Sequence, residues 1–210
     1  MNRYEGERRD LFPHMSVGVM GSAGGKMEPQ VLEKLYGLGG EIARRGYVLI
    51  TGACPGLPHE AARGAKAEGG TVIGISPALN LRQHVEEYKS PTRGYDAIIF
   101  TGSGLMGREI ENIRSCDVVI LAGGRSGTLG EFAIAYDEGK VIGVLLGTGG
   151  ITEHLHDIIG MVKKETGAEV VYGAEPAELM DKLEEIYWRR LHPQYTALMQ
   201  HHNPDGEVED

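Results

Sequence analysis

The sequence predicts an α/β fold of the Rossmann-like, doubly wound kind, a mostly parallel sheet of about seven strands with helices on both faces. Three observations predict it. Short Val/Ile-rich runs alternate along the chain with longer segments of helical period. The short runs are apolar at consecutive positions, as strands covered on both faces are. Nearly every run ends in glycine just before a helical segment starts.

The elements follow in order. "SVGVMGS" (16–22) is a strand ending in a glycine turn. In "EPQVLEKLYGLGGEIARRG" (28–46), Val31, Leu32, Leu35, Leu38 and Ile42 share one helical face, with Pro29 near the start and Gly46 at the end. "YVLITG" (47–52) is the second strand, and "GLPHEAARGAKAEGG" (56–70) a helix of small residues closed by glycines. "TVIGIS" (71–76) is the third strand. Pro77, Pro91 and Gly94 make 77–95 a loop with a short helix near 81–88, in which the role of His84 is open. "DAIIFTG" (96–102) is the fourth strand, 104–116 a helix, "DVVILA" (117–122) the fifth strand, and 127–139 a helix. "KVIGVLLG" (140–147) is the sixth strand, 151–167 a helix, and "AEVVYG" (168–173) the last strand. The closing helix, 175–191, carries Leu179, Met180, Leu183, Ile186 and Tyr187 as its apolar stripe. Residues 1–15 and 193–210 read as tails around a single domain, 16–192, the second tail acidic.

Composition narrows the function. The chain has 210 residues, 41% of them hydrophobic, enough for one domain with a sizeable core. A formal net charge of −9 repels nucleic-acid polymers and anionic membranes, so neither is an expected partner. Any bound anion must be caught locally. Cys54 and Cys116 form no paired spacing, so neither a disulfide framework nor a zinc site is expected. His154 and His156 point to different faces of a helix, and His201-His202 lies in a polar tail, so no metal site is assigned. The opening residues lack the apolar core of a signal peptide and no run is long enough to span a membrane, which makes a cytoplasmic location the expectation.

In doubly wound folds ligands bind beyond the C-terminal strand ends. Four glycine-rich loops fall there: "GSAGG" (21–25), "TGACPG" (51–56), "TGSGLMG" (101–107) and "GGRSGTLGE" (123–131). Each leads into a helix, whose first N–H groups and positive dipole end attract a phosphate that glycine lets approach. One such loop can be a plain turn. Four on one sheet edge point to a phosphorylated or nucleotide-type ligand. The chain has no GxxxxGK[ST], and its first loop lacks GxGxxG spacing, which sets aside Walker-type NTPases and nicotinamide dehydrogenases.

"GGRSGTLGE", with Arg108 upstream and "DVVILA" between, resembles the PGGxGTxxE signature of the Lonely Guy family of nucleoside 5′-monophosphate phosphoribohydrolases, often misnamed lysine decarboxylases. It also resembles the related molybdenum-cofactor carrier proteins. The likeness runs over roughly residues 16–175, with "VGVMGS" and "TGACPGLPHEAARGA" as further matches. It implies a catalytic pair, Arg108, nine residues before Asp117, and Glu131 at the end of the signature. It also implies a phosphate seat at Gly124, Arg125, Ser126, Gly127 and Thr128, with Gly21, Ser22 and Gly52 opposite. The implied reaction frees a base and ribose 5-phosphate, requires no cofactor, and is carried out by a homodimer or tetramer; the amphipathic helix 175–191 is one candidate contact, although packing on its own sheet is the simpler account.

Three departures separate the chain from the plant-type hydrolases. Aligned on Gly127-Thr128, Pro-Gly-Gly becomes Gly123-Gly124-Arg125, the lysine after the catalytic arginine becomes Glu109, and a methionine of that helix becomes Asn112. These move the chain toward the carrier branch, so the alternative is a non-catalytic nucleotide or pterin binder, or a nucleotide-sensing module. Plainer roles stand beside each residue. Glu131 could complement a helix dipole, Arg108 could be a solvated helix residue, Gly127-Thr128 could be a simple cap, and Arg125 could clamp phosphate or point to solvent. Cys54 with His59 is the sole local nucleophile-and-base candidate, and a nucleophilic role for it is disfavoured.

Overall fold

The computed structural model describes residues 13–200. Seven parallel strands run in the order β4-β3-β2-β1-β5-β6-β7. They are β1 (Ser16–Gly21), β2 (Val48–Thr51), β3 (Val72–Ser76), β4 (Ala97–Phe100), β5 (Val118–Ala122), β6 (Val141–Leu145) and β7 (Glu169–Gly173). The chain winds outward one way from β1 through β4, returns to β5 beside β1, and winds out the other way. The β1/β5 boundary, in register from Val17↔Val118 to Gly21↔Ala122, is therefore the switch point where a crevice must open.

The helices are α1 (Pro29–Arg44), α2 (Leu57–Ala67), α3 (Leu81–Glu86), α4 (Gly104–Arg114), α5 (Ser126–Asp137), α6 (Leu155–Val162), α7 (Pro176–Ile186) and α8 (His192–Met199). Alternating side chains of β5 split the core in two. Val118 and Ile120 join the apolar stripes of α1, α2 and α7 on one face. Val119 and Leu121 join Ile113 of α4, Phe132 of α5 and Leu155 of α6 on the other.

Glycine sets how closely α1 and α2 pack. A Cβ on Gly39 would stand 1.8 Å from the Ala61 carbonyl oxygen, and one on Gly64 would stand 1.9 Å from that of Tyr36. Gly37, on the same helix, has open space around it. Gly39→Ala should therefore cost about 2–3 kcal/mol by overpacking. Gly37→Ala should be neutral or stabilise by up to about 1 kcal/mol through helix propensity. Urea unfolding of the two variants checks the opposite signs.

Three sequence expectations change. The helix expected over 151–167 is a 3₁₀ turn at Gly150–His154 followed by the short α6. Gly149 and Gly150 have positive φ, Ile151 N–H donates to the Gly124 carbonyl, and Lys163 ends α6 in the left-handed region. The second tail begins as helix α8. Tyr195 packs on the core, and its hydroxyl donates to Asp117 Oδ1 at 2.6 Å. The first tail contributes Met15, whose side chain is buried and whose carbonyl accepts from Val48 N–H. Residues 201–210, including His201 and His202, lie outside the described residues. The helix 175–191 continues past Ile186 as a π turn, and its whole apolar stripe is buried on its own sheet. That stripe is not available as an oligomer contact. His84 is also settled: it is fully buried, its Nδ1 pairs with Ser76 Oγ at 2.8 Å and its Nε2 with the Pro91 carbonyl at 3.0 Å, which pins 77–95 over the end of β3.

Candidate functional site

The crevice at the switch point is a cavity of about 340 Å³. The β1 loop supplies Gly21 and Ser22, the β2 loop Gly52, helix α4 Arg108, and the β5–α5 turn Arg125, Ser126, Gly127, Thr128 and Glu131. Nine of the ten residues singled out from sequence thus line one pocket. Gly124 does not line it. Its φ is +91°, and a Cβ there would fall 2.2 Å from Thr128 Oγ1, so glycine is needed to fold the turn back against α5.

The turn is held by partners distant in sequence. Gly124 N–H donates to Ser22 Oγ at 2.7 Å, and Gly123 N–H to Thr148 Oγ1 at 2.8 Å. Those two amides are spent inside the protein. Arg125 sits at the N-cap of α5, no side chain caps the helix, and its first turn holds no acid. The leading N–H groups of α5, at Ser126, Gly127 and Thr128, have no intrahelical acceptor, and the three residues line the cavity. An uncapped helix start of this kind is suited to an anion. Arg125 is exposed at its rim.

The charged floor lies behind the seat. Glu131, in the second turn of α5, leans back toward the helix start, as helical side chains do. Arg108 comes from α4, and its Nη1 stands 3.7 Å from Glu131 Oε1 with both side chains more than nine-tenths buried. Gly52 makes room for it, since a Cβ there would lie 2.0 Å from Nη1. Arg108 Nε is buried with no hydrogen-bond partner. Burial pushes the Glu131 carboxyl up to about 7, against the lowering effect of Arg108 and with a further push from Glu109. Glu131 lies in the second turn of α5, past the first turn where an acid complements the dipole best, and its buried carboxyl pairs with Arg108.

Several lining residues went unassigned in the sequence. Glu109 is buried beside the same helix, its Oε1 3.4 Å from where a Cβ on Gly127 would sit and its Oε2 3.1 Å from one on Gly130. Desolvation raises its carboxyl above the ordinary range, opposed by Arg108. Met20, Ala23 and Pro58 complete the walls. Thr148 was signalled by "GTGG" (147–150), a further glycine loop on the same sheet edge. Cys54 also lines the cavity, and burial pushes its thiol up to about 11. A thiol held that high is protonated at neutral pH, which disfavours a nucleophilic role. No described helix is long and apolar enough to cross a membrane.

Comparison with known proteins agrees with this geometry. An uncharacterized protein of Archaeoglobus fulgidus is 34% identical over 131 residues, covering 62% of this chain and 80% of that one. The X-ray structure of TM1055 superposes with a TM-score of 0.72 at 26% identity, over 82% of this chain and 99% of that one. The molybdenum cofactor binding protein of the phototrophic bacterium Rippkaea orientalis superposes with a TM-score of 0.69 at 30% identity, over 83% and 98% of the two chains. The SLOG cluster4 family model matches residues 14–180, from the residue before Met15 through β7 and into α7. With the switch-point cavity, the uncapped α5 and the signature turn all inside that span, the chain belongs to the SLOG cluster4 family.

Proposed function

We propose that the cavity binds a nucleoside 5′-monophosphate or a similarly phosphorylated ligand, and that Arg108 and Glu131 hydrolyse its N-glycosidic bond to base and ribose 5-phosphate. The carrying observation is the buried Arg108–Glu131 pair set directly behind the uncapped start of α5. Phosphate on the leading N–H groups places the sugar over the pair. As the C1′–N bond breaks, positive charge builds on the anomeric carbon and ionised Glu131 stabilises it; water then adds to that carbon, its proton passing through Glu131 to the departing base. Arg108 keeps Glu131 oriented and offers guanidinium N–H groups to the ligand. Incubation with a panel of nucleoside monophosphates, followed by chromatography for free base, tests the reading. Free base from at least one member, absent with Glu131→Gln, supports it.

Glu109 favours a second reading, a non-catalytic carrier of a phosphorylated pterin or nucleotide. A carboxylate beside the α5 start opposes a second anion, and the Rippkaea orientalis neighbour is a molybdenum cofactor binding protein. On that reading no base is released, and a phosphorylated ligand still raises the melting temperature. Either way Glu109→Gln should tighten phosphate-ester binding by about tenfold at pH 8, as removal of one nearby like charge does. The gain should shrink as pH falls and wild-type Glu109 takes up a proton. Calorimetric titrations at two pH values measure it, and the wild-type-to-variant ratio cancels the titration of the phosphate itself.

A further inference from the structure

Every backbone polar group of the Gly123-Gly124 turn has a partner, and none of the partners lies in α5. Gly123 N–H donates to Thr148 Oγ1 at 2.8 Å, and Gly124 N–H to Ser22 Oγ at 2.7 Å. The Gly123 carbonyl accepts from Thr152 N–H at 3.4 Å, and the Gly124 carbonyl from Ile151 N–H at 2.9 Å. Ser22 apart, these partners come from one segment, the connection between β6 and α6.

That connection is shaped to lie against the turn. A Cβ on Gly150 would fall 2.3 Å from the Gly124 carbonyl oxygen, so only glycine lets the two backbones meet. Thr148 is buried, and its hydroxyl donates to the Leu145 carbonyl at 2.7 Å. With its proton spent there, the oxygen serves the Gly123 amide as an acceptor. Thr152 is buried too, and its hydroxyl donates to the Gly149 carbonyl at 2.8 Å, which holds the bend of the connection. Thr148 therefore ties the end of β6 to the turn from which α5 departs. It does not itself line the cavity.

We propose that Thr148 is a positioning residue for the ligand's phosphate: acting through Gly123, it fixes the direction in which the leading N–H groups of α5 point. This role rests on the phosphate placement proposed above. Gly123 and Gly124 both have positive φ, in a region where glycine has wide backbone freedom. Tying down their amides and carbonyls leaves α5 one direction of departure. Ser126, Gly127 and Thr128 then present their N–H groups already aligned, and no reorganisation is needed when an anion arrives. Without the Thr148 oxygen, Gly123 N–H is buried with no acceptor. The turn relieves that by rotating, and it carries the next three residues with it.

Titration of isotope-labelled protein with inorganic phosphate, followed by NMR, tests this. In wild type the amide resonances of Ser126, Gly127 and Thr128 should move in a saturable way. Thr148→Val keeps the shape of the side chain and removes the oxygen. It should weaken phosphate by about tenfold, the worth of one buried hydrogen bond, and shrink those shifts. Thr148→Ala, which adds no methyl group beside the amide, should do the same. Thr148→Ser restores the oxygen and should return affinity to within about threefold of wild type. Affinity and shifts that persist in both the valine and alanine variants overturn the role, even if those variants melt lower, because the hydroxyl then only braces the fold. A loss that serine does not repair overturns it as well. Wild-type amides that phosphate leaves unmoved overturn the phosphate placement and this role together, so the wild-type titration tells the two failures apart.

Discussion

Replacing Glu131 with glutamine should lower base release by about 10²–10⁴-fold, the usual contribution of a positioned acid–base group, while leaving ligand binding intact. The amide keeps the shape of the carboxyl and loses the charge. It can neither stabilise a cationic sugar nor accept a proton from water. The same substitution has a thermodynamic signature that needs no substrate. Glu131 titrates near 7 in the folded protein, above its ordinary value of 4.5. Between those two pH values the unfolded chain has released a proton that the folded protein still holds. Stability contributed by this group therefore falls as pH rises through that window, and the full penalty is present above pH 7. Glu131→Gln removes the titration. The ligand-free variant should exceed wild type by roughly 1–3 kcal/mol at pH 8 and match it near pH 4.5. Denaturant unfolding at the two pH values measures the gap. If turnover requires the ionised form, wild-type kcat/KM should also rise with pH to a plateau above about 7.

Gly52→Ala should separate function from folding. The methyl group would occupy the place of Arg108 Nη1, which is the end of a flexible side chain. The backbone at Gly52 is not among the positive-φ positions, so alanine is tolerated there. The chain should fold with a melting temperature close to wild type. Arg108 must swing out of its seat, and a displacement of that kind can cost about 10²-fold in rate. Gly124→Ala makes the contrast. At φ +91° with Thr128 in the way, the extra methyl group strains the turn itself, and stability should fall together with ligand binding. Melting curves with and without ligand for the two variants distinguish a displaced side chain from a broken loop.

What was legible in the sequence and what was not follows from the range of the interactions. Strands announce themselves by consecutive Val and Ile, and the glycine loops by local spacing. The sheet, its switch point and nine of the pocket residues could thus be read from short stretches. Helix α8 was missed because Tyr195 owes its place to Asp117, 78 residues earlier. Gly52, read as a phosphate contact, also admits a guanidinium from α4, which its spacing did not show. Ser22, read the same way, also accepts from Gly124 N–H. Glycine in a loop shows that something comes close without showing what. Glu109 stood out in the sequence only as a reversed charge, and its place along α5 depends on how α4 and α5 pack.

The most direct measurement is a crystal structure of Glu131→Gln soaked with a nucleoside monophosphate that wild type turns over or binds. The phosphate should rest on the backbone N–H groups of Ser126, Gly127 and Thr128, with the sugar beside residue 131 and within reach of the Arg108 guanidinium. A ligand bound elsewhere, or one whose phosphate points away from α5 while its base fills the cavity floor, would contradict the proposed site.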